Sequence, residues 1–312
     1  MSYSINQAMI DQFNAAVIML SQQRDSRLQK TCQIASVTGK SFYAERIGAT
    51  EMYERTSRHQ DVRYVGIEHS RRKGTTHDME WAELLDKADT NKYIIDPKGK
   101  YVQSAVAASN RSKDSWILAA LGGVAHAGEA GATSVNVYDS GECRLIAGDG
   151  TLVTAGSDAT NTTDTALTYA KVLLAKTLLD QAEIDPDRPR YFVTNNYNIN
   201  QLLTDTTLTG EEMKAVRNIR DGKVDKFLGF EFIPVEYRAS GTGLRYHATD
   251  TTCVRSYAYA YGAITFGIGQ DLNTRIEREP KKNADQILAD MTVGAERNEG
   301  PAVVEILLKA AA

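Results

Sequence analysis

Near the start of the chain Met9, Phe13, Ala16, Val17 and Leu20 recur at helical intervals, and Ser4 with Gln7 has capping-box spacing, which predicts an amphipathic helix over about residues 5 to 23. From Ser41 to His77 the period changes. Short segments rich in Tyr, Val, Ile and Thr are broken at Gly48, Gly66 and Gly74, the pattern of a two-stranded ribbon. A ribbon alone is only marginally stable, so it must lean on its own body or on a neighbour. After Asp96-Pro97, a good helix start, Tyr101, Val102, Ala105, Val106, Ser109, Trp116, Ile117, Ala120 and Leu121 line one side of a helix that stops at Gly122-Gly123. About 25 residues at 1.5 Å rise give roughly 37 Å, long for a compact domain.

The second half alternates. Residues 140 to 165 are rich in Gly, Ser, Thr, Asn and Asp and predict an exposed, turn-rich excursion without a core. Leu167, Ala170, Leu174 and Leu178 mark a helix ending near Asp185-Pro186, followed by a short strand from Arg190 to Thr194. A further helix, a charged segment to Asp225 and a strand from Phe227 to Val235 follow. Tyr257 to Ile268 reads as one aromatic strand, and Asp271 to Arg278, Gln286 to Val293 and Ala302 to Leu308 as three more, separated by Pro280 and Gly300-Pro301. No internal repeat of fixed period is present.

The chain has 312 residues, 42% hydrophobic and 24% charged, which is ordinary for a protein with a sizeable core and excludes disorder throughout. No apolar run is long enough for a membrane span, and the N-terminal stretch lacks the cationic start of a secretory signal, so a cytoplasmic protein with no membrane partner is expected. Cys32, Cys143 and Cys253 are about 110 residues apart with no C-x-x-C, which suits reduced, buried thiols. The net charge of -4 argues against strong nucleic-acid binding by the whole protein. Charge is unevenly placed, however. Between Arg55 and Lys73 six cations (Arg55, Arg58, Arg63, Arg71, Arg72, Lys73) face Asp61 and Glu68, a local excess of four that leaves about -8 elsewhere. A basic ribbon on an acidic chain points to an acidic surface, most simply another copy of the chain.

Candidate chemistry is thin. His59, His69 and His77 are separated by ten and eight residues on strands broken by glycines, unlike the short spacings of metal ligands. Gly39-Lys40-Ser41 lacks the first glycine of a phosphate loop, with Ile34 in its place, and no helix pattern follows. Gly148-Asp149-Gly150 lacks a third glycine and reads as a turn. Ser240 has no nucleophile-elbow context, and Asn161-Thr162-Thr163 carries no weight as a glycosylation signal without secretion. No catalytic residue, metal or cofactor is indicated.

The order Arg55-Thr56-Ser57-Arg58-His59, His69-Ser70-Arg71-Arg72, Trp81-Ala82-Glu83-Leu84-Leu85-Asp86, Asp96-Pro97 and Tyr101, then Gly229-Phe230 and Gly294-Ala295-Glu296-Arg297, resembles the major capsid proteins of tailed bacteriophages over nearly the whole chain. The resemblance implies the α+β capsid fold shared by tailed phages and herpesviruses: an N-terminal arm at 1 to 38, an extended β-ribbon loop at 39 to 78, a peripheral domain at 79 to 123 and 269 to 299 with a long spine helix at 97 to 122, and an axial domain at 124 to 268 and 300 to 312, with a central β-sheet flanked by helices. It implies a virion shell of hexamers and pentamers around double-stranded DNA, touched without specificity and assembled in the host bacterial cytoplasm. Arg55, Arg58, His59, Arg63, Arg71 and Arg72 of the loop would contact the next subunit. A portal and a separate scaffolding protein are the expected partners, since no scaffolding region precedes the arm, and the segment from 144 to 164 departs from the family as an insertion. Three other readings stand beside this one: a cellular shell-forming compartment protein of the same fold, a metal-dependent enzyme using His59, His69 and His77, and a basic-ribbon nucleic-acid adaptor, which the overall acidity and the absence of an Arg-rich recognition helix weaken.

Overall fold

The computed structural model describes residues 23–86, 98–136, 144–153, 165–205, 210–220, 226–238, 243–246, 252–282 and 284–310. The helix expected over 5 to 23, apart from Gln23 at its end, the Asp96-Pro97 start, Cys143, Asn161-Thr162-Thr163, Asp225 and Ser240 lie outside the described residues.

Three sheets organise the chain. The first has the order β1-β13-β14-β4, built from Gln33–Ser36 (β1), Ile264–Glu279 (β13), Ala284–Arg297 (β14) and His77–Asp86 (β4). β13 and β14 form a long hairpin, and β4 runs antiparallel to β14 from His77 opposite Val293 to Asp86 opposite Ala284. Helix α1, Lys98–Gly122, lies across this sheet. Ala105, Ala108, Ser109 and Ser112 recur at helical spacing and face Met79, Trp81, Ala289 and Met291. Small residues there let the helix backbone approach the strands, while the His77 ring stacks on Trp116 with centroids 4.2 Å apart. The expected helix face is off in places: Val106 is exposed, and Ala107, Lys113 and Asp114 are buried.

The second sheet has seven strands in the order β10-β11-β9-β12-β15-β7-β8. These are Lys226–Phe227 (β10), Phe230–Pro234 (β11), Arg190–Thr194 (β9), Cys253–Ala260 (β12), Val303–Lys309 (β15), Leu145–Ile146 (β7) and Leu152–Val153 (β8). Helices α2 (Tyr169–Gln181), α3 (Asn196–Leu202) and α4 (Gly210–Arg220) accompany it, α2 against β15 and α4 against β10. β15 is buried from Val303 to Leu308, as expected of a central strand covered on both faces. The main core gathers here, with Phe192 stacked on Phe232 at 4.8 Å and Phe230 edge-on at 5.9 Å.

Four expectations change. The aromatic run from Tyr257 to Ile268 is two strands in different sheets, divided by a turn in which Gly262 has φ +84°. The run from Phe227 to Val235 is likewise split by a turn at Leu228-Gly229. The excursion after residue 140 does contain core: Leu145, Ile146 and Ala147 are fully buried in or beside β7, and the turn starts at Gly148. In α2 the buried face is Lys171, Val172, Ala175, Leu178 and Leu179, while Ala170 is exposed. Lys171 is tolerated inside because its ammonium donates to the carbonyls of Gly148, Thr165 and Leu307 at 2.8, 3.0 and 3.2 Å. Cys32 and Cys253 are buried free thiols, and burial pushes the Cys32 thiol up to about 12.

The third sheet has the order β2-β3-β5-β6: Ser41–Ile47 (β2), His69–Thr75 (β3), Ala125–Ala127 (β5) and Thr133–Val135 (β6). β2 and β3 are the two strands of the ribbon, in antiparallel register from Ser41 opposite Thr75 to Ile47 opposite His69. Gly74 does not break the ribbon. It sits opposite Phe42, whose ring occupies the space a Cβ at Gly74 would take, and whose Cε1 lies 2.7 Å from the place of a Cβ at Gly267 in β13.

Candidate functional site

The base of the ribbon leans on the subunit itself. Beyond the Phe42 seat, a Cβ at Gly294 of β14 would overlap the Thr75 carbonyl, so the end of β3 runs hard against the first sheet. Glu296, also on β14, is buried and accepts the backbone N–H of His126 on β5 at 2.8 Å, with His126 Nδ1 3.9 Å from its other oxygen. Burial pushes the Glu296 carboxyl up to about 7, opposed by the His126 N–H and by Arg297 and Arg72. Arg72 therefore departs from its expected role. Only 4% exposed and opposite Ala127 in β5, it belongs to the inside of the ribbon base and is not free to meet a neighbour. Arg71, next to it, points outward, pairs with Glu45 across the strands at 2.5 Å and lies 5.0 Å from the Tyr43 ring centroid. Such an exposed pair stiffens the ribbon more than it stabilises the fold.

Beyond Ile47 and His69 the strands end, and residues 49 to 68 form an exposed tip without strand pairing. The tip braces itself. Thr56 donates its N–H to Gln60 Oε1 at 3.2 Å, Arg55 Nε donates to the Ser57 carbonyl at 3.2 Å, and the Arg63 guanidinium sits 4.0 Å over the Tyr53 ring. His59 turns the chain with φ 62°. Arg55 and Arg63 thus shape the tip, and Arg58 and His59 stand exposed at its end. What sequence reasoning missed is apolar: Met52, Tyr53, Val62, Tyr64, Val65 and Ile67 are all exposed, Met52 fully and Tyr64 to 92%. The available signal was the density of Val, Ile and Tyr in a segment too short of partners to bury them.

A second feature escaped the sequence reading. Asp114 on α1, 1% exposed, accepts Ser26 Oγ at 2.6 Å, the backbone N–H groups of Arg27 and Leu28 at 3.1 Å each, and Gln23 Nε2 at 2.5 Å. This one carboxylate seats residues 23 to 28 on the helix. Beside it, Lys113 donates to Asp271 of β13 at 2.8 Å, holding the Asp271 carboxyl below its usual range.

The histidines are not gathered: His59 is at the tip, His69 at the ribbon's outer end and His77 on Trp116. Among the described residues no three His, Cys, Asp or Glu side chains converge where a metal could be held. Gly39 and Gly148-Asp149-Gly150 lie in turns, the latter closed by Thr151 donating to Asp149. Among the described residues no helix is long and apolar enough to cross a membrane.

A family model described as phage capsid protein matches residues 5–310. The chain belongs to the phage capsid protein family. Solved structures agree on the fold: the capsid of cyanophage Pam1 (TM-score 0.69, 16% identity, 96% of this chain and 95% of that one), that of cyanophage P-SCSP1u (0.68, 14%, 95% and 92%) and the acid-stable capsid of Helicobacter pylori bacteriophage KHP30 (0.67, 11%, 96% and 97%). Comparison with curated proteins by sequence found no significant match. In this capsid protein the three sheets, long helix and projecting ribbon together form the tailed-phage capsid fold.

Proposed function

We propose that this capsid protein is the major shell subunit of a tailed bacteriophage, assembling into hexamers and pentamers around double-stranded DNA, and that the ribbon tip is its clasp on the next copy. The observation that carries the clasp is an apolar, aromatic surface held out on a self-braced tip. A monomer gains nothing from exposing such a patch, whereas a neighbour that covers it recovers about 25 cal/mol per Å² of apolar surface. The role of the arginines changes accordingly. Arg55, Arg58, His59 and Arg63 rim the patch and choose its partner by charge, with Arg71 at the outer end of the paired strands, and Tyr64, Met52 and Val62 supply the contact area.

In this reading residues 1 to 38 are the arm and 39 to 78 the extended loop. Residues 79 to 123 and 269 to 299, with α1 and most of β4, β13 and β14, are the peripheral domain, and 124 to 268 and 300 to 312, with the seven-stranded sheet and its helices, are the axial domain. The role is structural rather than catalytic, and the protein resides in the virion after assembly in the host cytoplasm with a portal and a separate scaffolding protein. The test is shell formation by the purified subunit with Met52, Val62 and Tyr64 changed together to Ser. Folded subunits or capsomers that no longer close into shells, by light scattering and negative-stain microscopy, support the clasp; shells of normal size and yield exclude it.

A further inference from the structure

We propose that Met52 is a reversible oxidation site that gates entry of the subunit into the shell: a peroxide converts its thioether to a sulfoxide and disables the clasp, a dithiol reductase restores it, and the closed shell covers it. The inference rests on the clasp reading of the ribbon tip and adds the chemistry by which that tip is switched.

Accessibility is the first argument. Among the described methionine side chains Met52 is fully exposed, whereas Met291 is 4% exposed on β14 and Met79, opposite it on β4, is partly buried. Thiols compete for peroxide as thiolates, and the described cysteines are withdrawn from that competition. Cys32 and Cys253 are buried, and burial pushes the Cys32 thiol up to about 12. Among the described sulfur atoms, an oxidant arriving from solvent therefore meets the Met52 thioether first. A leucine would supply the same apolar area without this reactivity.

The second argument is what an added oxygen does at this place. The thioether is unbranched and apolar and adapts to an uneven partner surface, while the sulfoxide is polar and chiral. Covered by a neighbour, the sulfoxide must shed its water with no donor prepared for it. Met52 also lines the groove of the tip with Tyr53, Val62, Val65 and the two arginines Arg55 and Arg63. Arg63 braces the tip over the Tyr53 ring, and Arg55 braces it at the Ser57 carbonyl. A sulfoxide oxygen in the groove competes for both guanidinium groups, so oxidation disturbs the bracing of the tip as well as its surface. The chemistry is closed. The sulfur lone pair attacks one oxygen of hydrogen peroxide, an S–O bond forms as the O–O bond breaks, and the departing hydroxide takes the proton of the transferred oxygen and leaves as water. Sulfur gives up two electrons and the peroxide accepts them. In the reverse direction a dithiol supplies two electrons and two protons, the oxygen leaves as water and the dithiol becomes a disulfide.

The experiment treats unassembled full-length subunit with hydrogen peroxide until Met52 is partly sulfoxide by peptide mass spectrometry, quenches the oxidant and starts assembly. Shells and leftover subunits are then separated and the sulfoxide at Met52 is measured in each. It should be depleted about tenfold or more in the shells, because repetition of the contact turns a small loss per tip into exclusion. Treatment with methionine sulfoxide reductases for both epimers should return the leftover subunits to assembly. Met52→Leu should form shells equally well before and after the same peroxide exposure, and Met52→Gln, a polar stand-in for the sulfoxide, should assemble poorly with no oxidant at all. In finished shells Met52 should oxidise more slowly than in free subunits. The proposal is overturned by equal sulfoxide in shells and leftover subunits, by Met52→Leu failing after peroxide as the parent does, which would place the damage at another residue, or by Met52→Gln assembling as the parent does. Untreated parent that forms no shells refutes the shell reading and the proposal with it, while untreated parent shells that admit oxidised subunits freely refute the proposal alone.

Discussion

The buried Glu296 carboxyl couples the junction of β14 and β5 to pH. Glu296 ties β14 to β5, and its folded-state pKa of about 7 lies above the 4.5 of an ordinary glutamate because burial disfavours its charge. Between those values the folded chain holds a proton that the unfolded chain has released, so stability from this group is complete below about pH 4.5 and is lost as pH rises through 7. The full span is worth at most about 3 kcal/mol. Glu296→Gln keeps an oxygen for the His126 N–H and carries no charge. It should match the parent near pH 4.5 and exceed it in stability at pH 8, by chemical denaturation of unassembled subunits; a gap independent of pH would assign the burial cost elsewhere. Lys171 makes the opposite case, a charge stabilised by three carbonyls. Lys171→Met leaves those acceptors without their donor in a dry site and should cost about 2 to 5 kcal/mol by the same measurement.

Elements hold their places through contacts of very different legibility. Strand β9 and the end of α1 could be placed from sequence because Arg190 to Thr194 is a short β-rich run and Gly122-Gly123 a stop signal, both local properties of the chain. The ribbon was equally visible as two strands around Gly48 and Gly66. Its seat was not, since Phe42 meets Gly74 across the ribbon and Gly267 more than two hundred residues away, and no local pattern records that distance. The splitting of the run from Tyr257 to Ile268 is of the same kind: every residue suits a strand, and only Gly262 marks the change of sheet. Of the candidate site, the cations were legible as charges, but burial of Arg72 against β5 and the seat of Arg63 over Tyr53 depend on how the chain folds back, and the bond of Arg55 to the Ser57 carbonyl depends on the local turn. The seat itself makes a prediction. Gly74→Ala forces a methyl into the Phe42 ring and should cost about 1 to 3 kcal/mol, and hydrogen exchange should speed up at 41–47 and 69–75 while the seven-stranded sheet stays protected. Uniform loss of protection would show that the ribbon base and the core unfold as one.

At the scale of the whole molecule, salt separates the two ways a basic, apolar tip can hold a neighbour. If cations facing acids supplied most of the binding, shells would loosen as ionic strength rises, because at 1 M salt screening reaches within about 3 Å and exposed pairs contribute almost nothing. If Met52, Tyr53, Val62, Tyr64, Val65 and Ile67 supply it, the contact survives, since removal of apolar surface from water does not weaken with added salt. The exposure of these side chains favours the second. Subunits mixed at 1 M sodium chloride should therefore still form shells, more slowly because steering by the arginine rim is lost, with a final yield close to that at 0.1 M. Reversal of Arg55, Arg58, Arg63 and Arg71 to Glu should act in the complementary way. It slows assembly or misdirects the partner at low salt and recovers toward the parent at high salt, whereas the Ser substitutions at Met52, Val62 and Tyr64 fail at both. Each shell repeats the contact in every subunit, so even a small change per tip is multiplied into presence or absence of closed particles. Light scattering at the two ionic strengths distinguishes the cases, and shells of the parent that dissolve at 1 M salt would return the clasp to its charges.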